Sequence, residues 1–235
     1  MSEMAILMAA GLGTRMRPLT MTRPKPLIEV HGCPMIETVI DGLKERGVEL
    51  IYVVVGYLGE KFLYLEHKYK NLHVVYNNDY QSVNNISSIH TVADKLIDTK
   101  YDVFICEADL YLRDKALFLC ELTNSCYFGK MVYGYSDDWV FDTNELGRII
   151  RVGKVGEDRF NMVGVSWFRS SDARILGQVV KDAYNQGSYK DLFWDDVVNK
   201  NLDKLNLVVH EISCNQISEL DTVEELAAID DSYKI

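Results

Sequence analysis

Along the first hundred residues, short continuous apolar runs alternate with stretches whose apolar residues recur every three or four positions. Residues 4–8, 50–55, 72–76 and 102–107 are runs of the first kind and read as strands buried on both faces. Between them, residues 35–46 carry Ile36, Val39, Ile40 and Leu43 on one helical face and stop at Gly47. Residues 59–69 and 87–96 read as helices by the same pattern. Such βαβ alternation predicts an α/β fold with a mainly parallel sheet and helices on both faces. After about residue 110 the pattern changes. Residues 127–135, 148–152 and 161–168 read as strands of a smaller, more antiparallel part. Helices are expected at 171–185 and 192–199, a strand at 205–212, and a last helix from Thr222. No linker, repeat or low-complexity segment divides the chain, so residues 1–235 are expected to form a single domain.

Composition narrows the function. A chain of 235 residues with 48% apolar content can bury a sizeable core. Its formal net charge of -10 argues against nucleic acid as a partner, since phosphate neutralisation needs a broad basic face. No apolar stretch approaches the roughly 18 residues of a membrane span, so no membrane is expected. Residues 5–12 lack a preceding basic residue and read as a first strand rather than a secretory signal. The five cysteines (Cys33, Cys106, Cys120, Cys126, Cys214) are odd in number and form no Cys-x-x-Cys pair. Reduced thiols in a cytoplasmic protein, without zinc, fit that usage best.

Against this acidic background, Arg15, Arg17, Arg23 and Lys25 cluster within eleven residues, just after an apolar run that ends in Gly11 and Gly13. Glycines let backbone amides approach phosphate oxygens, and arginines match them with forked donors. A nucleoside triphosphate is the expected ligand. The segment is neither a Gly-x-x-x-x-Gly-Lys-Ser/Thr loop nor a full dinucleotide loop, because the third glycine is missing. Three other places carry candidate chemistry. Glu107-Ala108-Asp109 follows a strand end, where carboxylates hold magnesium or serve as plain turn residues. Asp221, two residues after Glu219, is a metal ligand or the N-cap of the last helix. Trp139 and the run Phe193-Trp194-Asp195-Asp196 pair rings with carboxylates, as recognition of a quaternary ammonium requires. Taken alone, Phe193 with Val197 and Trp194 with Val198 read first as ordinary helical core pairs.

The order Ala9-Ala10-Gly11-Leu12-Gly13-Thr14-Arg15, then Pro24-Lys25-Pro26-Leu27, resembles the signature of nucleotidyltransferases that join a nucleoside triphosphate to a phosphorylated small molecule. The segments 54–58, 84–88, 107–112, 191–195 and 219–221 bring the resemblance to the bacterial choline-phosphate cytidylyltransferases, over nearly the full chain. That resemblance implies a Rossmann-like nucleotidyltransferase fold, with about 1–110 as the nucleotide-binding half and about 111–235 as the acceptor-binding half. It implies a nucleotide site from Leu7, Ala9, Ala10, Gly11, Gly13, Arg15, Lys25, Asn84, Asn85, Ser88 and Asp109. It also implies Mg2+ on Asp109 and Asp221, and a head-group pocket of Trp139, Phe193, Asp195 and Glu219. Phe193 departs from the tyrosine usual in that family. Lys25, Asp109, Asp221 and Arg15 are the expected catalytic set, with CTP and phosphocholine as substrates and CDP-choline and pyrophosphate as products. Relatives of the same fold act on 2-aminoethylphosphonate or phosphoethanolamine, which keeps those acceptors open. A sugar-1-phosphate nucleotidyltransferase would lack the aromatic pocket, and a non-catalytic sensor would have lost the lysine or a metal carboxylate.

Overall fold

The computed structural model describes residues 2–234. The first strand, β1 (Glu3–Ala9), is followed by the basic loop and a small hairpin of β2 (Glu29–Val30) and β3 (Cys33–Pro34). Next come α1 (Met35–Arg46), β4 (Leu50–Val55), α2 (Tyr64–Lys68), β5 (Leu72–Tyr76), α3 (Ile86–Thr91), α4 (Ala93–Ile97) and β6 (Asp102–Glu107). The later part holds β7 (Leu110–Leu112), β8 (Cys126–Thr143), β9 (Ile149–Phe168), α5 (Ser170–Asn185), α6 (Trp194–Asn199), β10 (Val208–Glu211), β11 (Ile217–Glu219) and α7 (Val223–Ile229). Among these residues one seven-stranded sheet runs in the order β10-β8-β9-β6-β1-β4-β5, and β7 pairs with β11 in a second, two-stranded sheet.

The parallel part is β6-β1-β4-β5, and β9 turns the sheet antiparallel by pairing with β6 through Val103↔Phe168 and Cys106↔Val165. Alternate residues of β1 serve opposite faces, as the two-residue period of a strand dictates. Ala5, Leu7 and Ala9 join the core formed with α1, whereas Met4 and Ile6 join the core formed with α3, α5 and α6. Burial on both faces is why these strands read as unbroken apolar runs. A third apolar cluster of Met16, Ile28, Val30, Met35, Leu220 and Leu226 fastens the basic loop to the C-terminal segment. That cluster brings residues almost two hundred positions apart to one sheet edge.

Two expected helices differ from their periodicity. Residues 59–69 begin as a tight 3-10 turn (Gly59–Phe62) before α2. The second breaks at Val92 (φ -112, ψ 13) into α3 and α4. Thr91 and Val92 are β-branched in succession, and the Thr91 hydroxyl donates back to the Ser87 carbonyl at 2.8 Å, a local bond that competes with helix propagation. The expected strands 148–152 and 161–168 are parts of one long kinked strand, β9. Its residues Phe160 and Asn161 pair with Met131 and Lys130 on one side and with Phe141 and Val140 on the other.

Candidate active site

The parallel strands β1, β4 and β6 end at one sheet edge, where ligands of open α/β sheets bind. A cleft of about 830 Å3 opens there, lined by the loop after β1, the 84–88 segment, the end of β6, the 137–139 and 154 region of the β8–β9 hairpin, and residues 219–221.

Lys25 is the centre of the site. It is buried, and its ammonium donates to Asp109 Oδ2 and Asp221 Oδ1, both at 2.6 Å. Burial alone would lower its pKa, but the charges and hydrogen bonds of Asp109 and Asp221 outweigh that and raise it, so Lys25 is a fixed cation. Arg15 pairs with Asp221 at 2.8 Å while most of its side chain stays exposed. Gly13 makes this closeness possible. It sits at φ 61, and a Cβ there would meet Lys25 Cβ at 2.9 Å. The Thr20 hydroxyl donates to the Gly13 carbonyl at 2.8 Å and holds the loop in that shape.

Asp221 is not the N-cap of α7. Thr222 takes that position, its Oγ1 accepting from the Glu225 amide at 3.1 Å, and Glu225 accepts from the amides of Asp221 and Thr222 in return. The reciprocal cap leaves the Asp221 carboxylate to face Lys25 and Arg15. Glu219 arrives through the β7–β11 pairing, opposite Leu110. One oxygen each from Glu107, Asp109 and Glu219 lies within 4.8 Å of the others. Burial first, then the Asp109 and Glu219 charges, hold Glu107 well above the carboxylate range. Glu219 meets solvent in the cleft wall, yet crowding by protein, with Asp109 and Asp221 beside it, pushes it up to about 8. A set made only of carboxylate oxygens suits a hard divalent cation, and this one holds Asp109 of the expected pair but not Asp221, which spends Oδ1 on Lys25 and Arg15.

The end of the cleft where a head group was expected is aromatic. Trp139 and Phe193 meet edge to face, ring centroids 5.3 Å apart at 70°. The Lys154 ammonium lies 5.5 Å from the Trp139 centroid and 5.0 Å from that of Phe193. Phe193 is presented by the start of α6, where Asp196 accepts from the Phe193 amide at 2.9 Å and Asn85 Oδ1 accepts from the Trp194 amide at 3.0 Å.

The cleft gathers Ala9, Ala10, Gly11, Gly13, Arg15, Lys25, Asn84, Asn85, Ser88, Asp109, Trp139, Phe193, Glu219 and Asp221. Two expected residues lie outside its lining. Leu7 points into the α1-side core, completely buried. Asp195 lies beneath the cleft, 2% exposed, accepting from the Tyr127 hydroxyl at 3.0 Å. Successive helical positions point about 100° apart, so Asp195, two positions after Phe193, faces away from the wall that Phe193 forms. Lys154 and Asp138 line the cleft without having been assigned to it, and so does Glu107, weighed with Asp109 as a magnesium carboxylate but left out of the expected site. Asp138 stood beside Trp139, already singled out. Lys154 carries only the weak signal of a lone lysine between Gly153 and Gly156, and its pairing with Trp139 exists only once the hairpin is folded.

Residues 5–126 match the MobA-like NTP transferase domain, and the chain belongs to that family. It is a nucleotidyltransferase, and cytidylyltransferases are among the relatives that match it over nearly its full length. It is 52% identical to the 2-aminoethylphosphonate cytidylyltransferase of Lancefieldella rimae, over 97% of this chain and 92% of that protein. With the choline-phosphate cytidylyltransferase of Streptococcus pneumoniae it shares 35% identity over 98% of each chain. The solved structure of the CTP:phosphocholine cytidylyltransferase from Streptococcus pneumoniae superimposes with a TM-score of 0.89 at 33% identity, covering 100% of both chains. The fold is therefore the nucleotidyltransferase fold. No helix among the described residues is long and apolar enough to cross a membrane.

Proposed function

We propose that this enzyme transfers the cytidylyl group of CTP to 2-aminoethylphosphonate, releasing pyrophosphate. The observation that carries the choice of acceptor is the make-up of the cleft, where Glu107, Asp138 and Glu219 line the same space as the rings of Trp139 and Phe193. A primary ammonium has three protons to donate and carboxylates accept them, and its own positive charge would draw the raised Glu107 and Glu219 back toward the ionised form. The 52% identity to a 2-aminoethylphosphonate enzyme supports the same reading. Phosphocholine is the second reading, favoured by the edge-to-face ring pair, since a trimethylammonium donates no hydrogen bond and relies on aromatic faces.

In the reaction an oxygen of the acceptor's ionised phosphorus group attacks the α-phosphorus of CTP. One P–O bond forms, the α–β bridging bond breaks, and its electron pair leaves with pyrophosphate. The nucleophile is already anionic, so no side chain needs to remove a proton. The obstacle is charge, and the chain meets it by position. Lys25 stabilises the α-phosphate as negative charge builds, while Arg15 and the amides of Gly11 and Gly13 hold the β and γ phosphates. Asn84, Asn85 and Ser88 bound the nucleoside end. Mg2+ on Asp109 and Asp221, when bound, would neutralise phosphate oxygens as a Lewis acid. The first half of the chain thus serves the nucleotide and the second half the acceptor.

Pyrophosphate release with CTP, ATP, GTP and UTP against 2-aminoethylphosphonate, phosphoethanolamine and phosphocholine tests this. The expected result is turnover with CTP alone and the highest kcat/KM for 2-aminoethylphosphonate. A higher kcat/KM for phosphocholine overturns the acceptor, and equal rates with all four nucleotides overturn cytidylyl transfer.

A further inference from the structure

Lys154 belongs to neither the phosphate-binding nor the carboxylate machinery, yet its ammonium occupies the space in front of both rings of the head-group pocket. Both separations are inside the roughly 6 Å at which a cation is attracted to a ring face. The side chain reaches there from β9, directly across the ladder from Trp139. Beyond it the backbone kinks, with Val155 at φ 68, a left-handed conformation costly for a β-branched residue. The kink aims position 154 into the cleft. Lys154 pairs with no carboxylate among the described residues, although Asp138 and Glu219 line the same pocket. Its cationic partner surface is the ring pair itself.

Resting on the proposed acceptor class, we infer that Lys154 is a specificity-determining residue: its ammonium is an internal occupant of the aromatic half of the head-group pocket. A trimethylammonium needs both ring faces and must expel Lys154 and lie beside a like charge. A primary ammonium seated on the carboxylates needs the rings less and leaves Lys154 in place. The lysine thereby turns a pocket with the rings for choline toward a primary amine.

Lys154→Met keeps the length of the side chain and removes its charge, and Lys154→Arg keeps the charge. Three quantities are measured on each full-length enzyme. These are kcat/KM for phosphocholine, kcat/KM for 2-aminoethylphosphonate, and the affinity for tetramethylammonium read from tryptophan fluorescence without CTP. For Lys154→Met the expected result is a rise of about 10-fold in the phosphocholine to 2-aminoethylphosphonate ratio, on the scale of one or two cation–π contacts. That rise is carried by the acceptor KM, with tetramethylammonium binding tightened to a similar degree. Lys154→Arg is expected to keep the wild-type ratio. An unchanged ratio with unchanged tetramethylammonium affinity overturns the inference. So does an equal rise in KM for both acceptors, which would make Lys154 a ligand of their shared phosphorus oxyanion. Wild-type preference for phosphocholine would defeat the acceptor assignment instead, and the tetramethylammonium readout would still decide the role of Lys154.

Discussion

Replacing Asp195 by asparagine should make the enzyme more stable, and only above a defined pH. Asp195 is 2% exposed, and its one side-chain partner is the Tyr127 hydroxyl, which donates to Oδ1 at 3.0 Å. Burial lifts its carboxyl from the ordinary 3.8 to about 7, against the lowering effect of the Tyr127 bond. A group with a raised folded-state pKa holds its proton more tightly in the folded chain than in the unfolded one. Below about pH 4 both states are protonated, and the carboxyl costs nothing. As pH climbs from 4 to 7 the unfolded chain releases the proton first, so folding stability falls; above 7 the loss is complete and constant. A shift of about three units at roughly 1.4 kcal/mol each sets that loss at about 4 kcal/mol. In Asp195→Asn the new amide oxygen would still accept from Tyr127, and the side chain has nothing to ionise. Urea unfolding of both proteins from pH 4 to pH 8 measures the difference. The two stabilities are expected to be close at pH 4 and to diverge to a few kcal/mol in favour of the variant by pH 8. Parallel curves would show that Asp195 is hydrated or paired in a way its burial denies.

The remaining predictions concern the cationic centre. Lys25→Ala is expected to lower kcat by about 100-fold or more, the scale for losing a transition-state charge stabiliser, and to change the KM for CTP much less. Near-normal kcat in steady-state kinetics would reduce the lysine to a tether for the triphosphate. Thr222→Ala removes the acceptor of the Glu225 amide and should cost about 1 kcal/mol in the stability read from urea unfolding. Thr222→Ser should restore it, and a silent alanine variant would show that Glu225 alone fixes the Asp221 backbone.

The parallel half of the fold was open to reading because its strands are buried on both faces and its helices are amphipathic. The limits of α1 match the periodicity from Met35 to Arg46, since Gly47, at φ 93, ends the helix where only glycine enters that conformation cheaply. That Lys25, Asp109 and Asp221 would share a cleft was legible as well, Lys25 from the basic cluster and its signature, and Asp109 and Asp221 from their places after a strand and before a helix. The β7–β11 pair escaped notice because three-residue strands carry no period, and it is that pairing which sets Glu219 beside Asp109. The β8–β9 hairpin hid more. Its register shifts between Val132 and Tyr135 and again between Ser136 and Trp139, so no regular alternation marks which residues face the cleft. Lys154 is visible only after those shifts are known. Asp195 was put in the pocket by the resemblance alone; taken by itself the run 193–196 read first as helical core, and there the structure buries Asp195.

On the proposed reaction both substrates are anionic, and an acidic enzyme then needs cations where the chemistry occurs. Here Lys25 and Arg15 are held by Asp109 and Asp221, the residues we assign to the metal, so the cations are in place before any phosphate arrives. The two substrate ends also share a wall. The Asn84 amide donates to the Lys190 carbonyl at 2.8 Å, and Asn85 Oδ1 accepts from the Trp194 amide at 3.0 Å. The 84–85 loop is therefore tied to the segment that places Phe193 in the cleft wall. Behind it, Trp194 stacks on Tyr127 at 5.7 Å, and Tyr127 donates to Asp195. On the proposed reaction, this path of packed rings and backbone hydrogen bonds would set the distance from cytidine to head group. In-line transfer depends on that spacing, because a displacement of about 1 Å is enough to cost two orders of magnitude in rate. On the proposed reaction, Asp195 and Asn85 would act by holding that spacing, although neither needs to touch a substrate phosphorus.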